Sequence, residues 1–179
     1  MSDAAGKDRF AEFENLGDAQ AFVERILDVI ERIQLFEGFT REEIVVFAHY
    51  LQCYRAPLGS QVIREGDAGD FMLLLIEGSM EIVKKSMGGL PARIGTAGPG
   101  KTLGEMSLID GEPRFATCIT LDECLFAVLD RDSLTSIVTE VPALGVKILM
   151  ELLMLLNQRL RNVSGQLMRC MEDRKLRRI

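Results

Sequence analysis

A glutamate and an arginine nine residues apart carry most of the chemistry this chain can do. They lie in the run Gly104-Glu105-Met106-Ser107-Leu108-Ile109-Asp110-Gly111-Glu112-Pro113-Arg114-Phe115-Ala116-Thr117. Glu105 sits in a Gly-led, helix-prone turn, and Arg114 opens a β-prone run directly after Pro113. A carboxylate accepts hydrogen bonds from hydroxyls, those of a sugar included. A guanidinium forks onto a phosphate with two parallel, charge-assisted bonds. A helical turn over Glu105–Ile109 would aim its first amides, at the positive end of the dipole, toward such an anion. Gly104 lets the backbone approach closely and take an unusual φ. Ser107 and Thr117 add hydroxyls that can reach a phosphate or satisfy local backbone. Met106 and Leu108 read as core.

Three zones must position this segment. Residues 1–57 read as helical: Phe22, Ile26, Val29, Ile30 and Ile33 recur at helical spacing. Thr40-Arg41-Glu42-Glu43 is a capping box ahead of a second helix through Ile44, Val45, Phe47, Ala48 and Leu51. From about 58 to 130, closely spaced glycines separate the β-prone runs Gln61–Glu65, Phe71–Ile76, Ser79–Lys85, Ala92–Thr96, Phe115–Thr120 and Leu125–Asp130. Short strands with turn signals between them predict an all-β roll or jelly roll. Glu65-Gly66-Asp67-Ala68-Gly69-Asp70 reads as a tight turn.

From Asp132 the pattern is helical again, with Pro142 suited to the first turn of a long helix. In that helix Leu149, Leu153, Leu156, Leu160, Val163, Leu167 and Cys170 step by 4, 3, 4, 3, 4, 3. This is a coiled-coil seam. Ile148, Leu152 and Leu155 form a second apolar set on a neighbouring face. One face is expected to cover the roll and the other to pair with a second copy, giving a homodimer. Gly165 is the expected point of loosening.

Bulk properties narrow the classes. The 179 residues are 47% hydrophobic and 27% charged, as in an ordinary globular domain. No apolar run reaches the ~18 residues of a membrane span, and the N-terminus has no secretory pattern. Cys53, Cys118, Cys124 and Cys170 are scattered and His49 is the sole histidine, so neither a zinc site nor a nucleophile-base pair is expected. Free buried thiols in a cytoplasmic protein are the expectation. A net charge of -6 argues against DNA binding. Arg169, Arg174, Lys175, Arg177 and Arg178 read as a solvated helix end, with a polyanion or membrane contact as the competing reading.

The order Gly-Glu, small and apolar residues, short loop, then Arg-x-Ala-Thr resembles the phosphate-binding cassette of the cyclic nucleotide-binding domain family. That family includes cAMP receptor proteins and protein kinase A regulatory subunits. The resemblance covers about residues 34–165 and includes Leu35-Phe36-Glu37-Gly38-Phe39-Thr40, Gly59-Ser60-Gln61-Val62-Ile63 and Arg64-Glu65-Gly66-Asp67. It implies a mainly β fold, a double-stranded β-helix with N-terminal helices and a long C-terminal helix. Residues 1–33 would be a helical extension, 34–165 the domain, and 166–179 a basic helical tail. The implied ligand is cAMP or cGMP, held by Gly104, Glu105, Met106, Ser107, Arg114, Phe115, Ala116 and Thr117, with no catalytic or metal-binding residues. Glu105 would take the ribose 2′-hydroxyl and Arg114 the phosphate.

Phe115 departs from the family pattern, which has Ala, Ser or Thr there. Strand alternation faces it away from Arg114 and into the core. A ring on the same side would narrow the pocket. The long helix would supply the base contact, with Asn157, Gln158 and Arg161 as the groups near its middle. About a dozen residues follow Gly165, too few for a helix-turn-helix. The implied function is therefore a sensor acting through another protein. The competing function is a structural dimer whose pocket is degenerate or takes a cyclic dinucleotide.

Overall fold

The computed structural model describes residues 10–30, 38–86 and 88–176, with backbone only at 30 and 174–176. The expectations at Ile33, Leu35, Phe36, Arg177 and Arg178 lie outside the described residues. Two antiparallel sheets form a jelly-roll-like β roll. The first is five-stranded in the order β1 (Glu14–Asp18), β2 (Gln52–Ala56), β9 (Cys124–Asp130), β4 (Phe71–Glu77), β7 (Thr102–Leu103). The second has the order β3 (Gln61–Ile63), β8 (Thr117–Thr120), β5 (Met80–Lys85), β6 (Pro91–Ala97).

Strands β4 and β9 lack alternation because both of their faces are covered; each has six consecutive buried residues. Phe71, Leu73 and Leu75 face the second sheet with Phe126, Val128, Met80 and Cys118. Met72, Leu74 and Ile76 face the helices with Ile26, Phe47, Leu144, Ile148 and Leu152. Two segments expected to be helical are strands instead, residues 14–18 and 52–56. Glu-Asn-Leu-Gly-Asp has little intrinsic β preference. It becomes a strand because β2 offers it an edge, with Glu14 opposite Arg55 and Asp18 opposite Gln52.

The helices follow their local signals. Helices α1 (Val23–Ile30) and α2 (Arg41–His49) lie on the outer face of the first sheet. The capping box of α2 is complete: the Glu43 amide donates to Thr40 Oγ1 at 3.2 Å and the Thr40 amide to Glu43 Oε2 at 2.8 Å. Helix α3 (Glu105–Asp110) follows β7, and α4 (Arg131–Glu140) follows β9. The last helix, α5, runs Pro142–Leu176 through Gly165 without a break, so the expected loosening is absent. Its 35 residues span about 52 Å.

Helix α5 leaves α4 at a close crossing. A Cβ on Gly145 would lie 2.8 Å from Val138 Cα and 2.9 Å from its Cγ2. Gly145→Val should therefore overpack the crossing and cost about 1–3 kcal/mol, read as a lower urea midpoint at unchanged slope. An unchanged midpoint would mean that the helices separate freely. Lys147 anchors the same end, donating to Glu43 at 2.6 Å and to the Gly38 carbonyl at 3.1 Å. That hydrogen bond holds the Glu43 carboxyl below its usual range.

Candidate functional site

Three arginines hold the six-residue helix α3. Gly104, its N-cap, has φ 88°, a left-handed conformation that glycine takes without strain. Arg114 is 4% exposed, and its Nη1 donates to the Gly104 carbonyl at 3.0 Å and to the Phe71 carbonyl at 2.7 Å. Its guanidinium lies 3.9 Å from the centre of the Phe71 ring. On another side it meets the bare backbone of Gly69, where any Cβ would overlap it. The arginine's own backbone is fixed to the 64–67 turn: its amide donates to the Asp67 carbonyl and its carbonyl accepts from Gly66 N–H, both at 2.9 Å. The glycine-rich turn legible in the sequence is thus the seat of Arg114.

The second arginine, Arg159, comes from α5. Glu105 is 1% exposed and receives two parallel bonds from it, Nη1 to Oε2 and Nη2 to Oε1, both 2.9 Å. Arg159 Nη2 also donates to the Thr102 carbonyl at 2.7 Å. The third, Arg131 at the start of α4, donates to the carbonyls of Ser107 and Leu108 at 2.9–3.0 Å and so satisfies the C-terminal end of α3. One short helix is tied to both C-terminal helices and to the roll.

Glu105 and Arg114 share an anchor at Gly104, but Glu105 is not among the residues that line the cavity at Arg114. Arg114 lines a cavity of about 260 Å3 together with Ile63, Arg64, Asp67 and Phe71. The Glu105 carboxylate is turned to α5, because a buried charge stands where its counter-charge is.

Phe115 does face opposite to Arg114, as alternation requires, but outward rather than into the core. It is 53% exposed, because the arginine has taken the inner side. Lys84 Nζ lies 4.1 Å over the Phe115 ring, donates to its carbonyl at 2.6 Å and pairs with Glu65 at 3.0 Å. Met106, expected in the core, is 49% exposed, whereas Leu108 is buried as expected. Ser107 and Ala116 are buried. Thr117 Oγ1 accepts from the Glu65 amide at 3.0 Å, which is the local role open to it.

Arg159 escaped the sequence reading, which weighed Asn157, Gln158 and Arg161. Its signal was present: 148, 152, 155 and 159 step by 4, 3 and 4, so a cation continues the apolar stripe that faces the roll. Arg131 was signalled too, as a cation in a helix's first turn, where the dipole disfavours it unless it has a tertiary partner.

The site has the makings of anion and hydroxyl recognition. Cys118 is buried, and burial pushes its thiol up to about 12, while Cys53 and Cys124 are likewise raised, to about 12 and about 11. These thiols are protonated at neutral pH and poor nucleophiles. Cys170 differs from expectation in being exposed. Among the described residues no three His, Cys, Asp or Glu side chains group as a metal site. No described helix is long and apolar enough to cross a membrane.

Known proteins share this architecture. A family model for the cyclic nucleotide-binding domain matches residues 54–140. A crystal structure of a cyclic nucleotide-binding domain from Methylobacillus flagellatus KT matches with a TM-score of 0.81 at 38% identity, covering 89% of each chain. The Thermus thermophilus catabolite activator protein matches with a TM-score of 0.68 at 28% identity, covering 74% of this chain and 61% of its own. A CRP-like cAMP-activated global transcriptional regulator of Mycobacterium tuberculosis is 29% identical over 140 residues, 78% of this chain. The chain spans 61% of that regulator's length. The likeness to the Methylobacillus domain extends over nearly nine-tenths of both chains at 38% identity, and on that ground this chain belongs to the cyclic nucleotide-binding domain family.

Proposed function

We propose that the protein binds a cyclic nucleotide, cAMP or cGMP, and couples that binding to the position of α5. Arg114 carries the phosphate and Glu105 the ribose hydroxyl, with Gly104, Met106, Ser107, Phe115, Ala116 and Thr117 completing the contact segment. The observation that carries the coupling is the two-bond pair between the buried Glu105 and the partly exposed Arg159. A carboxylate offers about four lone-pair positions, and Arg159 uses two. A sugar hydroxyl arriving on the same carboxylate changes the hold on α5, so ligand affinity differs between positions of the helix. That difference is what lets a ligand shift the equilibrium.

Titration calorimetry with cAMP, cGMP and cyclic di-GMP tests the binding. Hydrogen exchange tests the coupling. Protection should change at residues 104–117 and along 143–165, and a change confined to 104–117 would reduce the protein to a passive binder. A second reading, an interaction dimer whose pocket takes no mononucleotide, is favoured by the Glu105 carboxylate being bonded to Arg159 and not lining the cavity at Arg114. No heat with cAMP or cGMP would select it.

The outer face of α5 suits a second copy of the chain. Ile148 and Leu152 are buried on the roll, while Leu153, Leu160, Val163 and Leu167 of the seam are 53–64% exposed. We propose a parallel homodimer along this face. Sedimentation at micromolar concentration should give a dimer for the wild type and a monomer for Leu160→Glu, which buries like charges. Cys170 occupies the next seam position and is exposed. Mild oxidation should therefore cross-link a parallel pair, and Cys170→Ser should not cross-link. A monomeric wild type would refute the dimer.

A further inference from the structure

The N-terminal segment places an acid in the phosphate site, and the inference drawn from this rests on the cyclic-nucleotide reading above. The cavity of about 260 Å3 at Arg114 has Glu12 among its walls. Glu12 is exposed, yet its neighbours Phe10 and Phe13 are buried at 8% and 7%. The Phe13 amide donates to the Phe10 carbonyl at 2.9 Å, closing a turn that presents Glu12. The Phe10 ring packs 4.9 Å from Phe71, edge to face, and 4.7 Å from Tyr54. Phe13 packs 6.2 Å from Phe126. Phe71 is also the ring on which the Arg114 guanidinium lies. The segment that delivers Glu12 therefore abuts the same ring as the arginine.

The charges around the cavity balance. Arg64 and Arg114 face Glu12 and Asp67. An anion entering this space meets a site already neutralised from within, and one of the two acids sits on a turn wedged in by two rings rather than on the roll itself. We propose that Glu12 is an affinity-setting residue of the phosphate site. The N-terminal segment holds a competing negative charge at the Arg114 cavity, and an entering cyclic nucleotide turns the exposed Glu12 side chain aside while Phe10 and Phe13 stay packed. Like charges across a cavity of this size, partly solvated, change affinity about three- to tenfold.

The test is calorimetry of cAMP, cGMP and cyclic di-GMP against the full chain and its Glu12→Gln, Glu14→Gln and Arg114→Ala variants. Glu14 is an exposed acid on β1 that pairs with Arg55 at 3.6 Å and is not among the residues lining the cavity, so it controls for net charge. Glu12→Gln is expected to bind about three- to tenfold more tightly, and Glu14→Gln as the wild type does. Equal affinity of wild type and Glu12→Gln, or equal tightening in Glu14→Gln, overturns the role of Glu12. Both results leave the nucleotide reading standing as long as Arg114→Ala loses binding. If Arg114→Ala binds like wild type, or if no nucleotide binds any variant, the nucleotide reading falls and Glu12 with it.

Discussion

Arg114→Ala should lose most cyclic-nucleotide affinity, by about 2–5 kcal/mol or well over tenfold in Kd. A phosphate here needs a fixed fork, and the buried arginine is held in place before any ligand arrives. Its Nη1 is bonded to the carbonyls of Phe71 and Gly104, and its plane rests on the Phe71 ring. Preorganisation of this kind lowers the cost of ordering the site on binding. Alanine also strips the donor from two carbonyls, so apo stability should fall by about 1–3 kcal/mol. Lysine separates the two effects. Arg114→Lys keeps the charge but cannot hold both carbonyls and fork onto an anion. It should bind at least about tenfold more weakly while unfolding nearer to wild type in urea. Unchanged calorimetric affinity in both variants would place the ligand elsewhere on the molecule.

Breaking the pair that joins α3 to α5 has the larger effect on the fold. In Arg159→Met the Glu105 carboxylate stays 1% exposed without its cation, a loss of about 3–5 kcal/mol for a buried charge. Arg159 itself is 40% exposed, so water relieves part of the loss and the lower end of that range is expected. Adding Glu105→Gln should recover most of the stability, because a neutral amide beside methionine carries no charge to bury. The same single change should release α5 from the cassette. Ligand-dependent exchange along 143–165 should vanish while changes at 104–117 persist. If Arg159→Met unfolds at the wild-type urea midpoint, the ion pair contributes nothing and the proposed coupling loses its physical basis.

The strong local signals were legible because short-range chemistry produces them. Thr40 and Glu43 cap α2 reciprocally, Pro142 opens α5, and the run Phe71–Ile76 is buried on both faces. The segments missed were those whose conformation is borrowed. Strand β1 exists because β2 offers an edge, and two-residue β7 because Leu73 and Leu74 pair with it. The first has a sequence with little β preference, and the second is too short to state one. Phe115 was placed on the correct side relative to Arg114 but assigned to the core. Alternation gives relative facing only, and which side is inside depends on what the arginine can bond there.

The amino-acid order alone determined a β roll between helices, a Gly-led turn carrying Glu105, an arginine nine residues on, and a long helix with two apolar faces. Each of these is a matter of spacing and backbone preference within a few turns or strands. The tertiary structure decided which groups those residues answer to. Glu105 meets Arg159 across 54 positions, and Arg114 reaches the Phe71 carbonyl across 43. Buried charges choose partners by proximity in space and by the cost of lost hydration, and no local pattern encodes that choice. It was the packing of α5 on the roll, with Ile148 and Leu152 buried, that brought Arg159 to the cassette.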